Sequence, residues 1–176
     1  SEPESEPPPD FADRWELEEY FPLTKSVLTV WHNKLQNENP KSSFVYKINY
    51  NFSVIQNPKS RVEAGKLNMI PVSVVKKIDA LTPQFIEFMD NRMVCPKVMV
   101  RFYQDTKSGN DALRNRKYFR ITMHDAEIAF VKNYTPEYKE FSPTNPMWYF
   151  EEVGFTASTI TWEDLKTGVK YTWNSE

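Results

Sequence analysis

The sequence predicts a mainly β protein, a barrel or sandwich of about eight strands with one short α-helix at about residues 83–91. Three observations predict it. Aromatic residues make up 15% of the chain, a rich supply for a β-core, and 13 prolines against 4 glycines fix many turns. Residues 44–55 alternate apolar and polar side chains, the period of a half-buried strand. Residues 65–91 begin as an apolar, β-branched strand and end with a helical pattern.

Length and charge exclude several classes of function. A chain of 176 residues is long enough to bury a core as one domain. The net charge is −2, and neighbouring basic residues such as Lys76 and Lys77 are expected to form a solvated face. Binding of nucleic acid needs clustered cations, so no nucleic-acid partner is predicted. No apolar run reaches membrane-spanning length, so no membrane insertion is expected.

The chain divides into a predicted arm at residues 1–21 and a single domain at residues 22–176. The arm begins SEPESEPPPD, an acidic, proline-rich run typical of a solvated tail or linker. Five large apolar residues follow, and they suit an alternative in which the arm settles on a neighbouring subunit: Phe11, Trp15, Leu17, Tyr20 and Phe21.

Within the domain the strands are recognised by alternation and by β-branched or aromatic content. They are predicted at residues 25–32, 44–55, 72–78, 97–104, 118–123, 127–131, 148–163 and 169–173. Asp125 and Ala126 are expected to separate the fifth strand from the sixth, and Gly154 to bend the seventh.

The strand at residues 44–55 is the strongest periodic signal in the chain. Its apolar face is predicted to contain Phe44, Tyr46, Ile48, Tyr50, Phe52 and Val54. The opposite, wet face contains Lys47, Asn49, Asn51 and Ser53. One face therefore fills the core, and the other is available to solvent or to a partner.

The predicted helix begins at Thr82 and Pro83. A Thr hydroxyl can cap free amides, and proline fits the first helical position because its missing N–H costs nothing there. Phe85, Phe88 and Met89 then share one face. A helix this short is marginal alone in water, so it is expected to dock on the β-structure.

No catalytic, cofactor or metal site is predicted. His32 and His124 are far apart, and with Cys95 they match no zinc-ligand spacing. Cys95 has no second cysteine to pair with, and a small buried thiol is the expected role. The acidic pair Glu151–Glu152 is a weak signal for glycoside hydrolysis, and no phosphate-binding glycine loop is present. A structural or binding role remains.

Residues 64–89, AGKLNMIPVSVVKKIDALTPQFIEFM, resemble the haemolysin-coregulated protein (Hcp) family, the tube protein of bacterial type VI secretion. In that family a Gly-Lys strand runs into an I-D-x-x-[ST]-P turn and a single helix. The matching residues are Gly65, Lys66, Ile78, Asp79, Thr82 and Pro83. Residues 117–131, 152–160 and 168–173 also look like strands of the family, whereas the acidic arm departs from its pattern.

The resemblance implies a β-barrel subunit that forms six-membered rings. The rings stack into a hollow tube that carries or chaperones effectors, with sheath, spike and baseplate proteins as further partners. The implied location is the bacterial cytoplasm, followed by secretion to the extracellular space or a target cell. The candidate subunit-contact residues are Lys47, Asn49, Asn51, Asn57, Lys59 and Arg61. Two alternatives remain: a phage-like tail-tube protein, or a monomeric β-sandwich binding module if the aromatics are exposed.

Overall fold

The structure is a computed structural model that describes residues 24–35, 41–54, 67–104, 116–134 and 149–175. The expected mainly β class is confirmed. Within these ranges the chain forms nine strands and one helix. In order they are β1 (Thr24–Trp31), β2 (Lys41–Asn49), β3 (Phe52–Val54), β4 (Leu67–Met69), β5 (Val72–Lys77), α1 (Leu81–Asp90), β6 (Cys95–Gln104), β7 (Arg116–Tyr134), β8 (Phe150–Asp164) and β9 (Lys170–Asn174).

Six of the strands close into a barrel. Their order is β5–β2–β1–β6–β7–β8, and β8 pairs again with β5 to complete the ring. The pairings are antiparallel, and β9 lies outside the ring on β8, whereas β3 and β4 form a separate two-stranded sheet. Each of the six strands in the ring has a neighbour on both sides, so the fold is a barrel rather than a sandwich. The predicted boundary at residues 21 and 22 lies outside the described residues.

The helix packs its apolar face into the barrel, as its short length led us to expect. Leu81, Phe85 and Phe88 are buried, and all three belong to the main core cluster. The Phe85 ring lies edge-on to Phe155 of β8, with 6.0 Å between the ring centroids. Ile86 on the other side is 48% exposed. Strand β7 also contacts the helix.

The prediction that Thr82 caps the helix is wrong. The helix begins at Leu81, and Asp79 makes the cap: its Oδ1 accepts the Leu81 N–H at 2.9 Å. In return, the Asp79 N–H donates to Thr82 Oγ1 at 3.1 Å, the reciprocal pattern of a capping box. Pro83 is the third helical residue, still within the first turn, where backbone N–H groups have no intrahelical acceptor.

The predicted long strand at residues 44–55 is divided. Strand β2 ends at Asn49, and β3 begins at Phe52 and pairs with β4 instead. A bulge between Val45 and Lys47 also shifts the alternation, because one extra residue moves the following side chains to the other face.

The bulge changes which residues of β2 reach the core. Val45 and Ile48 pack against the main core cluster. Phe44 packs instead with Val27 and Tyr103 in a second, smaller cluster. The single apolar face predicted for this segment is therefore wrong, and Tyr50 at its end is 47% exposed.

The predicted break at Asp125 and Ala126 is also wrong. Strand β7 continues through both residues, and Ala126 is buried and paired with Ala157. Asp125 has a positive φ of 49°, a conformation that Asp tolerates better than most residues. The irregular backbone therefore deforms the strand locally without ending it.

Gly154 allows β7 and β8 to approach closely. A Cβ at this position would lie 2.2 Å from Cε1 of the Phe130 ring. We expect Gly154→Ala to lower the free energy of unfolding by about 1–3 kcal/mol, because the ring has to move out of its place. Urea denaturation measures the change. Adding Phe130→Ala should remove most of this extra cost, and an equal cost in both backgrounds would contradict the close contact as its cause.

Candidate functional site

A buried cluster of charged and polar side chains lies where β5 meets the helix. The Lys76 side chain is 0% exposed, and Glu151 is only 2% exposed. Lys76 Nζ lies 3.1 Å from Glu151 Oε2 and 2.8 Å from Asp79 Oδ1, and it also donates to the Lys77 carbonyl at 2.8 Å. A buried ammonium needs such partners, because removing a charge from water is costly without them.

The hydroxyl groups of Ser43 and Thr82 complete this arrangement. We call the five residues the anchor cluster: Ser43, Lys76, Asp79, Thr82 and Glu151. Thr82 Oγ1 donates to Glu151 Oε2 at 2.9 Å, and Ser43 Oγ donates to Asp79 Oδ2 at 2.5 Å. The cluster therefore joins β2, β5, β8 and the start of the helix. The charged groups pair with one another and are largely buried. The arrangement therefore holds the helix in place.

The expectation that Lys76 belongs to a solvated face is wrong, and the role of Glu151 was missed. Both residues continue a buried row: Lys76 follows Val72 and Val74 at every second position, and Glu151 precedes Val153 in the same way. Period-two alternation therefore placed both in the core. Their opposite charges at two core positions were the sequence signal that could have indicated the pair.

Three of the six candidate subunit-contact residues lie in the described part of the chain. Lys47 and Asn51 are exposed, and Asn49 between them is half-buried. They follow one another along the end of β2 and the turn after it. Asn57, Lys59 and Arg61 lie outside the described residues.

An aromatic group, which we call the aromatic surface, joins the β3–β4 sheet to β8 and β9. The Phe52 ring lies 4.8 Å from Trp162 and 6.2 Å from Trp173, and Tyr50 lies 6.1 Å from Trp162 between ring centroids. Such rings bury a large apolar area and prefer tilted or edge-on contacts. Next to them on β9, Tyr171 is 69% exposed.

A family model described as "Type VI secretion system effector, Hcp" matches residues 33–163. This match covers most of the chain. The chain belongs to the Hcp family. The suspected resemblance is thereby confirmed, and it extends across the barrel from the end of β1 nearly to the end of β8.

Solved Hcp structures share this fold. A crystal structure of an Hcp protein has a TM-score of 0.71 at 14% identity, covering 87% of this chain and 98% of its own. An Hcp1 variant from E. coli EAEC 042 has a TM-score of 0.67 at 13% identity, covering 85% and 97%. Hcp3 from Pseudomonas aeruginosa has a TM-score of 0.59 at 19% identity, covering 87% and 99%. A search of curated proteins found no match.

The described part of this Hcp-family chain contains no metal-binding group of three or more His, Cys, Asp and Glu side chains. Cys95 is fully buried at the start of β6, and burial raises the pKa of its thiol to about 12. A thiol with so high a pKa is a weak nucleophile at neutral pH. In the same residues, no helix is long and apolar enough to cross a membrane.

His32 lies against the helix at the end of β1. Its ring centroid is 4.3 Å from that of Phe88, and its Nδ1 accepts the Lys34 N–H at 3.1 Å. Burial is the main cause that lowers the pKa of His32, and the positive charge of Lys34 adds to it, whereas Glu87 acts in the opposite direction. The folded Hcp domain therefore favours the neutral imidazole.

This lowered pKa predicts a loss of stability on mild acidification. Below pH 6.5 the unfolded chain takes up the His32 proton before the folded chain does, so folding loses free energy until the lower folded pKa is passed. From pH 7.5 to pH 5.5, the urea midpoint should fall further for the wild type than for His32→Asn, which keeps a polar side chain. Equal falls, or a smaller fall in the wild type, would contradict the lowered pKa.

Proposed function

We propose that this chain is a structural subunit of the type VI secretion inner tube. It assembles as hexameric rings, and the rings stack into a hollow tube that carries or chaperones effectors. The observation that carries the proposal is the Hcp family match across residues 33–163. Sheath, spike and baseplate proteins are the proposed further partners. The role is structural, and the proposed route leads from the bacterial cytoplasm to the extracellular space or a target cell.

The geometry of the domain supports such a role. A closed barrel with a docked helix and a buried anchor cluster is a rigid unit, which suits repetition around an axis. Lys47, Asn49 and Asn51 lie at the end of β2 and in the turn after it, and we propose them as subunit contacts together with Asn57, Lys59 and Arg61. We also propose residues 1–21 as an arm separate from the domain.

Light scattering and negative-stain microscopy of the purified protein test the ring. We expect a mass of six subunits and annular particles, because ring interfaces of about 2,000 Å² or more give stable assemblies. The paired change Lys47→Glu and Asn51→Glu should reduce the six-subunit fraction. Arg92→Glu, an exposed position after the helix, is the matched control. A clean monomer at high concentration, with no rings by microscopy, would contradict the proposal.

The monomeric binding module is favoured by one specific observation. Tyr149 is 77% exposed and Tyr171 is 69% exposed, and exposed aromatic rings can stack on sugars. This alternative predicts a monomer that binds soluble polysaccharides, with binding lost in Tyr149→Ala and Tyr171→Ala. Six-subunit rings without polysaccharide binding would reject it. A phage-like tail tube predicts the same rings, and the genes beside the coding sequence separate the two.

A further inference from the structure

Strand β9 has an open outer edge. Among the described residues, β8 is its one strand partner. The Val169 carbonyl accepts the Asp164 N–H at 2.9 Å, so the alternating backbone groups of Lys170 and Thr172 point away from β8. Unpaired groups in a row on an edge strand are a template for a further strand.

The side chains beside this edge are apolar on one face and basic on the other. Val169 and Tyr171 are each 69% exposed and border the aromatic surface. Lys170 is exposed and makes no ion pair within the described residues. Glu163, its cross-strand neighbour, is instead paired with Arg120 at 2.6 Å. The edge therefore fits a strand that alternates apolar and acidic residues.

The N-terminal segment of the chain has this composition and this period. Residues 1–19 contain eight acidic residues and one basic residue, so the rest of the chain carries 21 basic against 16 acidic residues. Residues 15–18 read Trp-Glu-Leu-Glu, an alternation with period two. The segment is thus complementary to the edge of β9 in both charge and apolar pattern.

We propose that residues 15–18 of one copy add as a strand to the outer edge of β9 in a second copy. Trp15 and Leu17 would lie on the face of Val169 and Tyr171 and extend the aromatic surface. Glu16 and Glu18 would lie on the opposite face, near Lys170. The inference rests on the proposed ring or stack, because a neighbouring copy has to lie within reach.

The reach of the chain favours a second copy over the same copy. Through β6, β7 and β8, three strands separate β1 from β9, a path of about 19 Å at ~4.8 Å per strand. In the other direction, β9 shares one edge of β8 with β5 and lies beyond it, paired with residues 159–163 of β8 instead of residues 150–155. Residues 18–24 span about 20 Å when fully extended. Residues 18–24 therefore have no spare length for passing around the side chains of a curved barrel. The segment of the same chain would reach its own β9 only under tension.

Cross-linking in a mixture of two variants, each with one substitution in the full chain, tests whether residues 15–18 of one copy exchange onto β9 of another. Glu16→Cys and Thr172→Cys leave the proposed apolar contacts intact, and buried Cys95 gives little background. With a short bis-maleimide linker, we expect a two-chain product in the mixture at several times the amount from either variant alone. Ser5→Cys with Thr172→Cys, and Glu16→Cys with Thr156→Cys on β8, are the matched controls.

Charge reversal provides a second, independent test. Glu18→Lys, added to the Glu16→Cys variant, should lower the cross-linked fraction about threefold, within the range of one exposed ion pair. Adding Lys170→Glu should restore most of it. Glu4→Lys with Glu6→Lys, outside the proposed strand, should leave the fraction unchanged. A loss that Lys170→Glu does not reverse would overturn the placement beside Lys170.

Light scattering on the same samples separates this inference from the proposed ring. Six-subunit rings with no two-chain product above the controls would overturn the exchange and leave the ring standing. Glu16→Cys and Thr172→Cys combined in one chain serve as the test of the acceptor, and a cross-link formed only within that chain would overturn the second copy. A monomer in every sample would overturn the ring and the exchange together.

Discussion

Lys76→Ala is expected to lower the free energy of unfolding by about 3–5 kcal/mol, because it leaves the buried Glu151 carboxylate without its cation. Asp79, which caps the helix, loses the same partner. Urea denaturation at pH 7.5 measures the loss. For a domain of this size, such a change lowers the melting temperature by roughly 6–20 °C.

The exposed pair Lys34–Glu87 provides the matched control for Lys76. Both of its side chains are nearly half exposed, and an exposed ion pair contributes about 1 kcal/mol or less. Lys34→Ala should therefore cost far less than Lys76→Ala. The double change Lys76→Met with Glu151→Leu should recover part of the loss, because it removes both buried charges at once. Equal costs for Lys34→Ala and Lys76→Ala would contradict the role of the anchor cluster.

Phe85→Ala is the second change with a large expected effect. The side chain is fully buried between the helix and the barrel, next to Phe155, and its removal leaves a cavity in a closed core. We expect a loss of about 3–5 kcal/mol in the free energy of unfolding. Thermal and urea unfolding, followed by circular dichroism, measure it.

Ile86→Ala, at the next position on the helix, is the control for Phe85→Ala. Ile86 is 48% exposed, and alanine favours the helix, so a change within about 1 kcal/mol is expected. Equal losses at Phe85 and Ile86 would contradict the docked helix. Lys76 Nζ lies 5.7 Å from the centroid of the Phe85 ring, so Lys76→Ala and Phe85→Ala should not be additive.

Both predictions concern the helix, and both bear on the proposed tube. An unfolded subunit lacks the barrel that repetition in a ring requires. Variants at Lys76 or Phe85 should therefore lower ring yield only in proportion to the unfolded fraction. Variants at Lys47 and Asn51 should lower the ring yield without changing the free energy of unfolding. This difference separates a loss of subunit contact from a loss of stability.

Much of the fold was predictable from local sequence. Strands β1, β5 and β6 and the apolar face of the helix followed from alternation, β-branched content and helical spacing, which depend on a few neighbouring residues. The buried thiol of Cys95 was also expected and is confirmed. The ordered set of residues around the helix was enough to indicate the Hcp family, which the match at residues 33–163 confirms.

Other features depended on contacts between distant residues. The bulge at Val45 and Lys47 arises in the pairing of β2 with β5, and no local signal marks it. The continuity of β7 through Asp125 is supported by pairing with β8, which outweighs a local preference for a turn. The closure of the barrel likewise depends on β8 pairing with both β5 and β7.

By itself, then, the sequence determined strands β1, β5 and β6, the apolar face of the helix and the family, because each is a property of neighbouring or ordered residues. Only the tertiary structure supplied the partner that allows Lys76 to be buried, since a lysine is a core residue only where a partner such as Glu151 meets it. The two residues are 75 positions apart in the chain. A charge pair across that separation exists only once the barrel has closed.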